Sequence, residues 1–422
     1  MSEWKPLLLD QFIRDGSIEL GRGNIISRVD IYQDPGPYPI YSSSAKGDGA
    51  FGHYGSYMFD EELITWSVDG GGRLFYRPKH KFSVTNVSGY LRIKSHDLDY
   101  RFVHYMLDHQ HGEAVFDYQD KAHPSVIRSR YYLVPLPIQE QRKIAAVLTT
   151  VDNLIERTEA LIAKYEAIKQ GMMHDLFTRG VDENGQLRPP HHEAPHLYKD
   201  SPLGPIPKEW SSLSLEDIIL HLESGVSVNS DETPGYDSPA MILKTSCLTG
   251  CKFRPDEAKP IIKKDLHRAE LNPRQDTIII SRMNTVDLIG ENAYVDKDYP
   301  DLFLPDRLWM TVFKSDAKLH VRWLAFLLSS RLMRSKISAL ATGTSGSMKN
   351  ISQSSFLGIA VKFPWLEEQR EIANRLERIN AYVDSLKDDV QSLHKLKSGL
   401  MQDLLTGKVR VPVDEVEEAS DV

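Results

Sequence analysis

Cysteine is almost missing from this chain of 422 residues, which has only Cys247 and Cys251. Two cysteines cannot build a disulfide framework, and these lack the further Cys or His ligands that a structural zinc requires. A reducing, cytoplasmic setting is the natural expectation. Long apolar runs are missing as well. No uninterrupted stretch approaches the ~18 residues of a membrane helix. The segment MSEWKPLLLDQF has no basic n-region ahead of a long apolar one, so no signal peptide is expected. A strong excess of one charge is also absent. The net charge of −8 argues mildly against a nucleic-acid partner when taken alone. Its distribution weakens that argument. Lys plus Arg against Asp plus Glu number 15 to 17 in residues 1–137 and 20 to 20 in residues 200–364. The tail concentrates acid in Asp414, Glu415, Glu417, Glu418 and Asp421, and reads as a disordered segment over 409–422. Both large segments are therefore near neutral, and either can carry a local basic face.

Catalytic motifs are missing too, although three stretches imitate them. GDGAFG (Gly47, Gly49, Gly52) matches the glycine spacing of a dinucleotide fingerprint, but no apolar strand precedes it and no helix follows. HEAPH (192–196) matches a zinc-protease spacing. Pro195 lies inside it and Pro189-Pro190 just before it, which rules out the helix that would put both histidines on one face. DPGPY (34–38) resembles a methyltransferase loop broken by Gly36, and no AdoMet-binding strand-loop lies upstream of it. No Walker A sequence or nucleophile elbow occurs. The expectation is a non-enzyme with no catalytic residues, no metal and no cofactor of its own.

A repeat is what the chain does contain. EQRKIAAVL (140–148) returns as EQREIANRL (368–376). Residues 140–178 lie on 368–406 without a gap, with 12 of 39 positions identical. The identities gather at the two ends: Glu140/Glu368, Gln141/Gln369, Ile144/Ile372 and Leu148/Leu376, then Gly171/Gly399, Met173/Met401 and Leu176/Leu404. In the first copy the pattern runs Ile144, Leu148, Val151, Ile155, Thr158, Ile162, Tyr165, Ile168. In the second it runs Ile372, Leu376, Ile379, Val383, Leu386, Val390, Leu393, Leu396. Steps of four and three make the seam of a coiled coil. Each helix follows a proline (Pro137, Pro364) and ends near a glycine (Gly180, Gly407). At ~1.5 Å per residue each spans about 58 Å. Two such stripes in one chain can hide each other, most economically as an antiparallel pair. A parallel pair, or each helix packing on its own globular neighbour, also satisfies the pattern.

The segments before the helices look related as well. Glu3-Trp4 opens one and Glu209-Trp210 the other. YRFVHYML (100–107) matches VRWLAFLL (321–328), each read as a buried helix after a strand (GYLRIK, LWMTVFK). A polar loop (AHPSVIRSR, TGTSGSMKNIS), a short strand and the long helix follow. Residues 181–200, rich in Pro and His, read as a linker. The expected organisation is 1–137 globular, 138–180 helical, 181–200 linker, 201–364 globular, 365–408 helical and 409–422 tail. The expected fold class is α+β: two mixed α/β domains joined by two long helices in an antiparallel intramolecular coiled coil, with pseudo-twofold symmetry.

Basic, polar and aromatic loops in both globular segments have the chemistry that contacts DNA. Lys and Arg neutralise phosphates, and Arg, Asn, Ser and Thr bond to base edges. The first segment offers RLFYRPKHK and KAHPSVIRSR, with Lys46, Arg73, Lys79, Lys121, His123, Ser125 and Arg128. The second offers KTSCLTGCKFR, SRMN and TGTSGSMKN, with Arg282, Asn284, Thr344, Ser345, Lys349 and Asn350. An ordinary solvated loop is the competing reading for each one singly. Two modules on long helices suit two half-sites on one face of B-DNA, which recur every ~34–36 Å.

VPLPIQEQRKIAAVLTTVD and FPWLEEQREIANRLERIN, with KQGMMHDLFTRG, KSGLMQDLLTGKVRV and DSPLGPIPKEW, give the chain a specific resemblance. It resembles the specificity (S) subunit of Type I restriction-modification systems over nearly its whole length. That resemblance implies two target-recognition domains, 1–137 and 201–364, and a non-catalytic chain that binds an asymmetric, two-part site on double-stranded DNA. It further implies two methyltransferase (M) subunits, which bind S-adenosylmethionine and methylate adenine, and restriction (R) subunits, which use ATP and Mg. Residues 138–180 and 365–408 would act as spacer and contribute to M-subunit docking. The Glu/Gln and Arg/Lys surface where these helices begin reads as shared architecture and not as a DNA code. A coiled-coil scaffold without DNA readout is the rival from another class, and a stand-alone methyltransferase or nuclease the rival enzyme.

Overall fold

The computed structural model describes residues 5–43, 49–69, 73–114, 116, 121–233, 235–343 and 348–412. Its contacts divide the chain into two units. One comprises Met1–Ala160 with Lys387–Val422, the other Leu161–Leu386.

The first unit is built on a six-stranded sheet. Its strands are β2 (Ile18–Arg22), β3 (Tyr38–Tyr41), β4 (Ala50–Tyr54), β5 (Phe59–Ser67), β6 (Phe75–Val84) and β7 (Ser88–Ile93), in the order β2-β7-β5-β6-β3-β4. Every neighbouring pair is antiparallel except β3 and β6. The second half of β5, LITWS, is buried throughout, as a central strand should be. Helix α3 (Tyr100–Glu113) covers the sheet with Phe102, Val103, Met106 and Leu107. Asp99 caps it, accepting from Arg101 N and Phe102 N, which satisfies two of the donors a helix start leaves free. A short pair, β1 (Leu7–Leu8) with β8 (Tyr132–Leu133), and helix α1 (Leu9–Arg14) complete the core, while helix α2 (Arg28–Gln33) buries none of its residues. AHPSVIRSR, expected as a loop, instead carries helix α4 (Pro124–Arg130). Pro124 sits at its first position, where a missing N–H costs nothing and the fixed φ helps.

The second unit repeats this topology with different residues. The strands β12 (Ile219–Ser224), β17 (Thr277–Ser281), β19 (Asn292–Val295) and β21 (Leu308–Phe313) order as β12-β21-β17-β19, all antiparallel. Beside them β13 (Met241–Leu243) pairs antiparallel with β16 (Ala258–Pro260) and parallel with β20 (Leu302–Phe303). This reproduces how β3 sits between β4 and β6. β11 (Ser211–Ser214) with β23 (Ala360–Phe363) matches β1 with β8. Helix α6 (Val321–Ser329) matches α3, and α8 (Gln353–Leu357) takes the place of α4. Helix α7 (Arg331–Ala339) has no counterpart among the described residues of the first unit. A pair of glycines shows how closely the copies agree. A side chain on Gly23 would strike the Val84 carbonyl, and one on Gly225 would strike the Leu304 carbonyl.

The two long helices are α5 (Ile138–Thr178) and α9 (Leu366–Leu405). In each unit the beginning of one packs against the end of the other, so the pairing is antiparallel. Ile144, Ala145 and Leu148 share the first unit's core with Met401, Leu404 and Leu405. Ile372, Ala373 and Leu376 share the second unit's core with Met173, Leu176 and Phe177. Val151, Ile155, Ile379, Val383 and Leu386 are also buried, whereas Ile162, Tyr165, Val390 and Leu393 are half-buried. Ile168 and Leu396, expected on the seam, are 42% and 51% exposed. A straight helix drifts ~20° per heptad from a strict 3.5-residue seam, so a long stripe rotates out of a simple two-helix contact.

The repeated Glu-Gln is buried, not the surface feature that the sequence suggested: Glu140, Gln141, Glu368 and Gln369 are 1%, 0%, 2% and 0% exposed. Gln141 Nε2 donates to the Leu136 and Asp97 carbonyls at 2.7 and 2.8 Å, and its Oε1 accepts from Asp99 N at 2.9 Å. Gln369 does the same with the Pro364 and Lys318 carbonyls at 2.8 and 3.1 Å and His320 N at 2.8 Å. Each glutamine thus ties the start of its long helix to the loop before α3 or α6. The glutamates point to the chain that leaves the other helix. Glu368 is bound by Arg188 at 2.6 and 3.2 Å, by Trp210 Nε1 at 2.9 Å and by Val181 N at 2.8 Å. Glu140 is bound by both nitrogens of the Arg410 fork at 2.7 Å. Gly180, at φ +60°, has no room for a side chain against the Glu368 carboxylate. Residues 181–200, read as a linker, supply Arg188 and the strand β9 (Tyr198–Lys199), which pairs with β10 (Ile206–Pro207).

Glu368→Ala should destabilise the second unit by about 3–5 kcal/mol, because it leaves the buried Arg188 with only the exposed Glu209 carboxylate, 3.6 Å away. Glu140→Ala should cost less, because the Arg410 side chain is 48% exposed and can rehydrate. Thermal or urea unfolding of both variants checks the order; equal losses would contradict it. Gly23→Ala and Gly225→Ala should each lower the melting temperature, since backbone must shift to admit the methyl group.

Candidate nucleic-acid interface

In the first unit the fold gathers residues that are far apart in sequence. Trp66 Nε1, at the end of β5, donates to the Ala122 carbonyl at 2.7 Å and pins the loop ahead of α4. Lys121 on that loop pairs with Asp69 at 2.8 Å. His123 Nε2 lies 3.4 Å from Arg22 Nη1, and its Nδ1 lies 3.1 Å from Ser125 Oγ. A guanidinium can only donate, so the Arg22 contact is a hydrogen bond in the tautomer whose Nε2 accepts and whose Nδ1 faces Ser125 as donor. Arg22 also donates to the Asn86 carbonyl. The result is an exposed group of Arg22, Asn86, His123 and Ser125 where the β2 end meets the turn between β6 and β7. Arg22 and Asn86 escaped the sequence reading. The only signal was the tight glycine spacing of LGRGN, which marks a strand end pressed against its neighbour.

The remaining residues of the first unit lie elsewhere. Arg128 is held by Asp10 of α1, which also binds Arg14. Arg73 stacks over Phe75, 5.0 Å from the ring centroid. Lys79 is exposed on β6. Lys46 lies outside the described residues.

In the second unit two loops that the sequence keeps 65 residues apart become one two-stranded piece. β18 (Met283–Asn284) pairs antiparallel with β22 (Lys349–Asn350), Asn284 opposite Lys349. The Arg282 carbonyl accepts from Ile351 N at 3.1 Å, which fixes the pair to the end of β17. Arg282 lies over Trp309, 5.7 Å from the ring centroid. Its Nε and the Oδ1 of Asn350 are buried without a hydrogen-bond partner among the described residues. Such groups are uncommon in a folded protein and ask for an explanation. Lys349 Nζ donates to the Gly343 carbonyl at 2.6 Å, and Asn284 Oδ1 accepts from Thr285 N at 2.9 Å. Thr344 and Ser345 lie outside the described residues.

KTSCLTGCKFR reaches one of the long helices. It forms a hairpin of β14 (Leu248–Thr249) and β15 (Lys252–Phe253), with Gly250 and Cys251 at positive φ. Lys252 pairs with Asp384 of α9. Burial pushes the Cys247 thiol up to about 12 and the Cys251 thiol up to about 11, so neither is a thiolate at neutral pH. HEAPH lies in a turn leading into a three-residue 3₁₀ helix, Pro195–Leu197, as its prolines require. Among the described residues no cluster of three or more His, Cys, Asp or Glu could hold a metal ion, and no helix is long and apolar enough to cross a membrane.

The chain entering β6 is braced by α3. Asp108 accepts from Leu74 N at 2.9 Å and His104 Nε2 meets the Leu74 carbonyl at 3.0 Å. Burial lowers the His104 pKa, and burial lowers that of His320 in the second unit. A histidine with a lowered folded pKa binds its proton more readily when unfolded. Its stability contribution is therefore complete above the ordinary value of ~6.5 and is lost as pH falls through the folded value. The melting temperature should drop as pH is lowered below about 6.5. His104→Gln should flatten that slope, and an unchanged slope in this variant would contradict the assignment.

Comparison with known proteins fits this geometry. A family model described as the Type I restriction modification DNA specificity domain matches residues 15–167 and 207–394, and the chain belongs to that family. Its place is that of the specificity subunit, which carries no catalytic activity. The Type I restriction enzyme MjaVIII specificity subunit of Methanocaldococcus jannaschii is 27% identical over 356 residues, 83% of this chain and 79% of that one. The putative type I restriction enzyme MjaX specificity subunit of the same organism is 26% identical, over 76% of this chain and 71% of that one. The crystal structure of a Type-I restriction-modification S subunit from M. genitalium shares the fold, with TM-score 0.57, 16% identity and 96% coverage of both chains. A chain solved in a study of complex assembly and conformational transition of the type I R-M system gives TM-score 0.55 at 12% identity, over 97% of this chain and 99% of that one.

Proposed function

We propose that this chain reads a two-part, asymmetric site on double-stranded DNA, one half-site for each recognition domain. The observation that carries this reading is the pairing of β18 with β22. It assembles Arg282, Asn284, Lys349 and Asn350, all of them partly exposed, into one small platform of donors and acceptors. The exposed ends of such side chains are the groups that bond to base edges. In the first domain Arg22, His123 and Ser125 take the corresponding role, with Lys121 toward phosphate. Lys46, Arg73, Lys79, Arg128, Thr344 and Ser345 remain candidates for backbone contacts. The domains differ at these positions, so their half-sites differ. The long helices, 138–180 and 365–408, set the gap between half-sites and help dock two adenine-methylating M subunits, which R subunits join. S-adenosylmethionine, ATP and Mg act on those partners.

Co-expression with the partner methyltransferase subunit in a host without adenine methylation, followed by single-molecule sequencing, tests this. A two-part methylated motif should appear only when this chain is present; unchanged methylation would sink the proposal. Arg282→Ala should relax one half-site and leave the other intact, at a cost of about 1–3 kcal/mol for the base pair concerned. Lys349→Ala should weaken binding evenly across sequences and reduce the salt slope by about 1. Deleting one heptad from each long helix should change the tolerated gap but neither half-site.

A further inference from the structure

The second unit contains a cavity of about 680 Å³ beside the end of α5. None of the proposed DNA-contacting residues lines it. Its floor is apolar, formed by Met173 and Phe177 of α5, Leu327 of α6 and Met333 of α7. Its rim is cationic, with Arg331 and Lys336 on α7 and Lys362 on β23. Among the described residues none of these three cations pairs with a carboxylate. Lys362 donates to the Pro205 carbonyl at 2.9 Å and to nothing stronger. Burial pushes its ammonium below the usual lysine range, and the neighbouring Lys336 acts in the same direction. Two like charges beside apolar walls repel, and a bound anion would offset that cost. The first turn of α7, which lines the same cavity, adds the partial positive charge of a helix start. The volume falls within the ~300–1,000 Å³ of small-molecule sites, which pair mostly apolar walls with a few polar groups.

We propose that this cavity binds a small organic anion. Its carboxylate or phosphate head would sit among Arg331, Lys336 and Lys362, and its apolar body against Met173, Phe177 and Leu327. A DNA backbone would satisfy the cations but has no apolar body for the floor. An acidic segment of a partner protein would use the same cations, and the test separates both from the small molecule.

The test is calorimetric titration of the full-length chain with four ten-carbon probes, each below its micelle concentration: decanoate, decyl phosphate, decanol and decyltrimethylammonium. The two anions should bind one to one, at least about ten-fold tighter than decanol, a difference of about 1.4 kcal/mol. Decyltrimethylammonium should not bind. Lys336→Glu should abolish the preference for anions, and Lys336→Met should reduce it without altering the melting temperature. The proposal is overturned if decanol binds as well as decanoate, if no probe binds, or if Lys336→Glu leaves the preference intact. It is equally overturned if Lys336→Glu weakens a short random duplex as much as it weakens decanoate, or if a partner subunit fills the cavity and excludes both anions. None of these outcomes depends on whether the chain reads a two-part DNA site.

Discussion

A carboxylate removed from water must be paired, and the pairing of Glu368 organises the second unit. Its two oxygens collect Arg188, Trp210 and the amide of Val181, three groups that arrive from the chain leaving α5. The beginning of α9 is thereby fixed to the end of α5 in one register. The first unit meets the same requirement with a different arginine, since Glu140 is closed by Arg410 from the chain leaving α9. The neighbouring glutamines finish the arrangement by satisfying backbone groups that burial would otherwise strand. The sheets, the shorter helices and the loops between them hang from these two buried Glu-Gln pairs.

This explains why the repeat is faithful at its ends and loose in its middle. Ile144, Ala145 and Leu148 meet Met401 and Leu404, while Ile372, Ala373 and Leu376 meet Met173 and Leu176. Each end of each helix lies inside a core, where a lost methylene is felt. Between those ends Ile162, Tyr165, Val390 and Leu393 are only half-buried. A position that keeps contact with water tolerates more kinds of side chain.

The long helices, their antiparallel pairing, the α3 and α6 helices and the likeness of the two halves were all legible, because each leaves a periodic or repeated signal. Other features were not. A helical period does not reveal that Glu140 and Gln141 point inward, because buried polar residues look like surface in any pattern of hydrophobicity. AHPSVIRSR is too short for a period to declare itself, and only Pro124 hinted at its helix. The platform of Arg282, Asn284, Lys349 and Asn350 was legible as chemistry but not as a place. Strands of two residues have no alternation to read, and their pairing spans a whole domain. Arg22 was missed because a single arginine between glycines is indistinguishable from a solvated turn.

The ion pair between Glu140 and Arg410 joins residues 270 positions apart, whereas the second unit is contiguous in sequence. During synthesis the ribosome therefore releases everything the second unit needs well before it releases the end of α9. The N-terminal domain emerges first and is finished last, and until Met401, Leu404 and Arg410 arrive the beginning of α5 keeps its apolar stripe in water. Closing so distant a contact is slow and leaves a window for misassembly. The two globular domains are completed in the reverse of the order in which they are translated.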